Sequence, residues 1–410
     1  MGTVDSPYLS ISTVHHHLQQ TAEKHPELTS VCELIKDHLY VDDLLLAVAS
    51  ENKAIQFRKE TSKIFEEMKM KIQKWCSNSS KVLKTIPQEE RSPFENISDN
   101  NNDGGEITFQ DPDIITSQTK LLGMTWSPKL DTFHYNTYEK LLENKKIKYS
   151  KRGISSIIPS IYDPIGILQP YTIRGKLNLQ KTWTHRDANG RGLNWDDVLP
   201  GEIQKEWEKW LQDIPKVSQM QIKRYIFSSN NPPKRLFLHC FGDGGSNAWG
   251  IVIYIRWFNE TTGKYTAQIV YSASRVGPTK RPLSVPRKEL NSVVLACEKA
   301  KYIAKAMNIN HENIFIHTDS LIVLHWVTNF SKNNLKTYVG NRIEKIQQHH
   351  YAIYHTPGAQ NPSDLCTKTH NTQDYVNNTF WINGPDYLQD PTEQWKEKYK
   401  LENIIKQELE

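Results

Sequence analysis

The segment RLFLHCFGDGGSNAWGIVIYIRW, residues 235–257, decides the fold. Apolar side chains alternate with others through RLFLHCFGD, the mark of a strand with one face buried. They run almost unbroken through WGIVIYIRW, the mark of a strand buried on both faces. AQIVYSASR, from Ala267, alternates again, so three strands follow in series. A long helical pattern runs from about Arg287 to Ala306. NIFIHTDS then reads as a fourth strand, one or two helices follow, YAIYHTPG reads as a fifth strand, and a helix opens near Pro362. Three strands in series followed by alternating helix and strand predict an α/β sheet domain.

Four acids hold special places in that layout. Asp243 ends the first strand, Glu289 falls in the first turn of the long helix, Asp319 closes the fourth strand, and Asp364 opens the last helix. Strand ends and helix starts are where such a sheet presents side chains at one edge. Each acid alone has an ordinary reading: Glu289 and Asp364 as partners of a helix dipole, Asp319 as a cap before its helix. Together at one edge they would repel strongly unless cations neutralised them. Two hard cations held by oxygen ligands would do so, and would support in-line attack of water on a phosphodiester.

Upstream of the linker NNPPKR, which ends at Arg235 and predicts a domain boundary, the patterns differ. Residues 7–38 read as helical, LYVDDLLLAVA as two short strands with Asp42 and Asp43 at the turn, and residues 51–75 as a long amphipathic helix. Residues 87–113 are polar and rich in Asn, Asp and Gly, a loop composition. Lysines crowd residues 119–152. The turn-rich IIPSIYDPIGILQP leads into the helical TIRGKLNLQKTW, and a further helix follows at residues 200–213. The 410 residues exceed one ordinary core, and 51 basic against 46 acidic residues leave a net charge of +5, a mild excess compatible with nucleic acid. Five scattered cysteines without a C-x-x-C argue against a disulfide framework or a zinc site and for a reducing, intracellular compartment. No secretory leader and no membrane-spanning apolar run is present, so a secreted or membrane protein is not expected.

The ordered acids resemble the D-E-D-D set of ribonuclease H. The segments FGDGGSNAWG, SVPRKELNSV, IFIHTDSLIVLHW and YHTPGAQNPSDLCTK resemble that domain in long-terminal-repeat retrotransposons of the BEL/Pao family. SPYLSI, HLYVDDLLLA, KWCSNS, KLLGMTW and GISSIIPSIYDPIGILQPYTIRGKLNLQKTW resemble the reverse transcriptase part of the same Pol polyproteins, and FWINGPDYL the segment before their integrase region. The resemblance implies a truncated reverse transcriptase palm over residues 1–130 and a thumb or connection region over 131–231. It implies a ribonuclease H-like mixed five-stranded sheet with flanking helices over 232–372, and a C-terminal extension over 373–410. It also implies that Asp243, Glu289, Asp319 and Asp364 bind two Mg2+ or Mn2+ ions and cleave the RNA strand of an RNA–DNA hybrid endonucleolytically. One departure is Gly-Gly-Ser after Asp243, where members more often have Ala-Ser. No mobile-loop histidine is apparent near the fifth strand, and His355 on that strand reads as structural.

By the same resemblance YVDD is a polymerase carboxylate motif, so Asp42 and Asp43 would be metal ligands and catalytic groups. That chemistry needs a further carboxylate from another strand, which in the family lies upstream. The chain alone is therefore expected not to polymerise, and a missing upstream polymerase segment becomes an expected partner. KLLGMTW resembles a primer-grip hairpin. Lys120, Lys145, Lys146, Lys148, Lys151 and Arg152 are candidates for tracking a phosphate backbone, against the plain alternative of a solvated face. A non-catalytic nucleic-acid-binding or inert remnant is the rival to the nuclease.

Three other features exclude functions. DNNNDGGEITFQ opens like a calcium loop, but its twelfth residue is Gln110 where a bidentate Glu is needed. His15, His16 and His17 are consecutive and would point to different faces of a helix. An aspartic protease needs D-T-G or D-S-G, and neither occurs, since Asp319-Ser320 is followed by Leu321.

Overall fold

A computed structural model describes residues 5–92, 119–121, 124–135, 141, 149–227, 233–329 and 335–399. The chain divides into two compact units, Met1–Phe133 with Ile222–Tyr225, and His134–Gln221 with Ile226–Glu410. The calcium-like loop at residues 99–110 lies outside the described residues. Among the described residues no helix is long and apolar enough to cross a membrane.

In the first unit the helical stretch is two helices, Ser6–Lys24 and Thr29–His38, because Pro26 after His25 cannot donate to a continuing helix and opens a short 3-10 turn instead. The helix predicted to reach residue 75 is Glu51–Glu67. It stops where Lys69 turns left-handed with φ 58°, and the amide of Met70 then closes back on the Phe65 carbonyl at 3.0 Å. Val14, Leu18, Val31, Cys32, Ile35, Phe57, Ile64 and Phe65 form the core of these helices. Strands β1 (Leu39–Tyr40) and β2 (Asp43–Leu44) make an antiparallel hairpin. Strands β3 (Thr119–Leu121), β4 (Met124–Ser127), β5 (Thr132–His134) and β6 (Gln221–Lys223) make a sheet in that order, with β3 and β4 antiparallel.

The second unit is built on strands β7 (Leu236–Gly244), β8 (Ala248–Asn259), β9 (Lys264–Val276), β10 (Ile314–Thr318) and β11 (Ala352–His355). Their order is β11-β10-β7-β8-β9. The β7-β8-β9 meander is antiparallel, and β10 lies parallel to both β7 and β11, so the α/β sheet is mixed. The parallel pairs need crossovers, and the long helix Val285–Ala306 leads into β10. Leu290, Val293, Ala296, Cys297, Ala300 and Ala304 recur on one helix face and bury against Leu238, Cys240, Ile251, Ile253 and Ile316. Each large aliphatic side chain so buried is worth about 1.5–3 kcal/mol.

Residues 134–221 and the segment after 372 belong to this same compact unit. The physical reasons are specific. The helix Gln169–Thr184 lies against β9, where the amide of Ser272 donates to Ile165 at 2.9 Å and Gln180 donates to the Gly277 carbonyl at 2.7 Å. The C-terminal segment is held by Arg256, fully buried on β8, which donates to the carbonyls of Leu388 at 2.7 Å and Asp390 at 2.5 Å and to Thr392 Oγ1 at 3.0 Å. The turn-rich reading of residues 157–170 is half right: a helix, Lys151–Ser160, takes its start and ends with Pro159 in its last turn. Residue 364 sits in a 3-10 helix, Pro362–Cys366, where a helix was expected to open.

Candidate nuclease site

Four elements deliver the four acids of the second unit to one edge of the sheet. Asp243 is the penultimate residue of β7 and only 4% exposed. Asp319 follows β10, whose register with β7 sets Thr318 beside Gly242. Glu289 lies two residues further into its helix than expected, past the first turn, because the helix begins at Val285. Two glycines allow the close approach. A Cβ on Gly244 would sit 2.3 Å from the Glu289 amide nitrogen, and one on Gly250 would sit 2.5 Å from Cys366 Cβ. Gly244 therefore lets the helix start abut the end of β7, and Gly250 lets the Asp364 turn lie on β8. The glycine that looked like a departure after Asp243 is what this packing needs.

The carboxylates feel one another. Burial raises the pKa of Asp243 against a hydrogen bond from Thr367, and the charge of Asp364 raises it further. Burial also raises Glu289, with the Asp243 charge adding and Ser320 opposing. Asp319 is pushed up to about 6 by burial and by the charges of Asp243 and Glu289. Asp364 goes the other way: burial would raise it, but His370 and Lys368 more than offset that and hold it low.

Residues that the sequence reading did not single out brace this cluster. Ser320 caps the helix Leu321–Thr328 by accepting from the Val323 amide at 3.2 Å, and its hydroxyl donates to Glu289 Oε2 at 2.5 Å. Thr367 donates to Asp243 Oδ2. Asn361, 1% exposed, donates to the Gly242 carbonyl at 3.2 Å and accepts from the Ser363 amide at 3.2 Å, fixing the Asp364 turn to the end of β7. Lys368 pairs with Asp364 Oδ1, and His370 Nε2 lies 3.3 Å from Asp364 Oδ2. The one sequence signal for them was spacing: in DLCTKTH, Thr367 and Lys368 stand three and four residues past Asp364, on the same side of a helical turn.

Four carboxylates are the hard oxygen donors that Mg2+ or Mn2+ prefers. Asp319 Oδ1 is buried without a hydrogen-bond partner, an acceptor left open toward such an ion. Among the described residues, however, no three His, Cys, Asp or Glu side chains stand in ready-made metal-binding geometry. The donors just named account for that: Asp243, Glu289 and Asp364 are each turned to a group of the chain itself. The residue types fit the ion.

The other predicted site residues belong to other segments of the chain. Asp42 and Asp43 are exposed, at the turn and at the start of β2 in the first unit. Lys145, Lys146 and Lys148 lie outside the described residues, and Lys120 is on β3. Lys151 is not on a solvated face: it is 6% exposed, donates to the Leu193 carbonyl at 2.6 Å and stands 4.3 Å from the Trp183 ring. A lysine so buried does not present its ammonium to solvent, unlike the exposed phosphate contact expected of it. Arg152 is exposed but forks onto Asp196 at 2.8 and 2.9 Å. His15, His16 and His17 lie along the first helix.

Residues 150–320 match the family model described as the Pao retrotransposon-like RNaseH-like domain. That stretch, less than half of the chain, is similar to a retrotransposon RNaseH-like domain. The matched stretch takes in Asp243, Glu289 and Asp319, and Asp364 lies beyond it. Among solved structures, the RNase H1 of Halobacterium salinarum NRC-1 is similar over 31% of this chain and 89% of that one, at 16% identity and a TM-score of 0.22. The N-terminal RNase H domain from Mycobacterium tuberculosis, solved as a fusion with maltose-binding protein, is similar over 31% and 86%, at 11% identity and 0.23. A foamy viral protease-reverse transcriptase in complex with double-stranded DNA is similar over 80% of this chain and 48% of that one, at 12% identity and 0.42. No curated protein matches the chain significantly.

Proposed function

We propose that this is a retrotransposon Pol-type chain whose second unit hydrolyses the RNA strand of RNA–DNA hybrids, with Asp243, Glu289, Asp319 and Asp364 as its metal-binding acids. The observation that carries the reading is the convergence of these four carboxylates, from four elements, close enough for each of three to raise its pKa through another. A merely structural set of caps would have no reason to bear that repulsion. Two divalent cations bound there would supply an activated water and stabilise the leaving oxygen of the phosphodiester. The chain's own part is to hold the ligands. Asn361 anchors the Asp364 turn, Ser320 orients Glu289, and Thr367 orients Asp243. In the first unit, Asp42 and Asp43 are read as two carboxylates of a reverse transcriptase module of BEL/Pao type. Lys120, Lys145, Lys146, Lys148 and Arg152 remain proposed backbone contacts for the hybrid.

The test is cleavage of a labelled hybrid by the full chain in Mg2+, beside an Asp319→Asn variant. Endonucleolytic products from the parent and none from the variant support the reading. Equal cleavage by both removes the assigned site. The net charge of +5 favours one second reading, a protein that binds nucleic acid without cutting it. Metal-independent hybrid binding with no cleavage in either Mg2+ or Mn2+ would select that reading.

A further inference from the structure

Asp243, Glu289 and Asp364 are each engaged by a side-chain donor of the chain, and one of those donors differs in kind. Ser320 and Thr367 offer neutral hydroxyls, whereas Lys368 brings a full positive charge to Asp364 Oδ1. Its ammonium is drawn by Asp243 and Asp319 as well as by Asp364, so its charge reaches three of the four acids. The side chain is 56% exposed, while the Asp364 side chain is 25% exposed. The charge therefore sits at the mouth of the site on a flexible four-carbon stem, and it can swing into solvent without any backbone movement. His370, on the other oxygen of Asp364, is only 23% exposed and stands 3.9 Å from Asp374, so it is the more confined of the two cations when protonated.

The plain alternative is an ordinary ion pair four residues apart, worth about 0.3–0.5 kcal/mol and without further consequence. Such a pair would leave the other acids indifferent to the lysine. Here the neighbours that gain from its charge are the groups that would bind metal.

We propose that Lys368 is a built-in counter-cation, which neutralises the acid cluster in the metal-free chain and must leave Asp364 when a divalent cation enters. Lys368 thereby raises the concentration of metal that the site requires. The inference rests on the reading of the four acids as metal ligands. It goes beyond that reading in giving the metal a competitor within the chain.

The test follows the unfolding temperature of the full chain during Mg2+ and Mn2+ titrations from a chelator-treated start. Lys368→Met keeps the stem and removes the charge. Lys368→Arg keeps the charge and grips the carboxylate with two donors. Lys345→Met removes a surface lysine paired with Glu298 at 3.8 Å and controls for overall charge. Lys368→Met is expected to reach half of its metal-induced stabilisation at about threefold to tenfold lower metal than the parent. Lys368→Arg should need as much metal as the parent or more, Lys345→Met the same, and Asp319→Asn should lose the response. A Lys368→Met chain needing equal or more metal overturns the inference and leaves the metal site standing. No metal response in any chain overturns both. The expected metal series without hybrid cleavage upholds the inference and defeats only the proposed nuclease.

Discussion

The two sets of aspartates in this chain invite the same chemical reading and stand in opposite surroundings. Asp42 and Asp43 are adjacent in sequence, exposed, and carried on a hairpin of two-residue strands. Asp243, Glu289, Asp319 and Asp364 are far apart in sequence, half-buried to buried, and carried on a five-stranded sheet, a long helix and a clamped turn. Burial and mutual charge perturb three of the second set, which is the signature of carboxylates pressed into one site. Adjacency in sequence thus marks where carboxylates occur. Whether they can act together depends on the framework that forces them to share a place against their repulsion.

The comparison breaks most easily on activity. Asp319→Asn is expected to reduce hybrid cleavage by about a thousandfold, the worth of several kcal/mol of lost metal stabilisation. Asp43→Asn should leave it unchanged. A chain that loses cleavage through Asp43 and keeps it without Asp319 would reverse the assignment of the two sets.

Stability in the absence of metal should move the other way. Folded Asp319 titrates near 6, above its ordinary 3.8, so the folded state binds the extra proton between those values. Its contribution is most favourable below about pH 4 and is lost as pH rises through 6. Asp319→Asn removes that repulsion. With chelator present, it should stabilise the fold by about 1–3 kcal/mol at pH 7 and by little near pH 4. Urea unfolding at the two pH values measures the difference. Stability traded for a functional site is the expected pattern, and a destabilised variant at pH 7 would mean that the cluster is no strained site at all.

Thr367→Val tests the bracing. Asp243 is 4% exposed and would lose its hydroxyl donor, at a cost of about 1–2 kcal/mol in metal-free stability. Hybrid cleavage should drop by about tenfold to a hundredfold, as for other groups that orient a metal ligand. Unchanged cleavage would show that Asp243 is placed by β7 alone.

The parts of this site that were legible in the sequence are those set by local pattern. Alternation in RLFLHCFGD and AQIVYSASR located β7 and β9, and Asp243 and Asp319 fall at strand ends as the pattern placed them, while Glu289 lies past the first turn of its helix. What escaped depends on distant partners. Lys151 looked like one of a basic run, yet its burial is decided by Leu193 and Trp183. The C-terminal segment read as an extension because nothing local to Arg256 shows that its guanidinium needs the carbonyls of Leu388 and Asp390. Asn361, Ser320 and Thr367 are ordinary polar residues until the sheet brings each to an acid or to the end of β7.

The smallest effect belongs to the exposed hairpin. Val41 takes φ 54° at its turn, a left-handed conformation that strains a β-branched residue, and its side chain is 45% exposed, so little burial is at stake. Asparagine tolerates that conformation. Val41→Asn should firm the hairpin by about 0.5–1 kcal/mol, read as slower exchange of the Leu45 amide, which donates to the His38 carbonyl at 3.2 Å. Hybrid cleavage should not change. A hairpin substitution that altered cleavage would mean that the exposed aspartates take part in handling the hybrid, and the contrast between the two acid sets would then be one of role within a single activity.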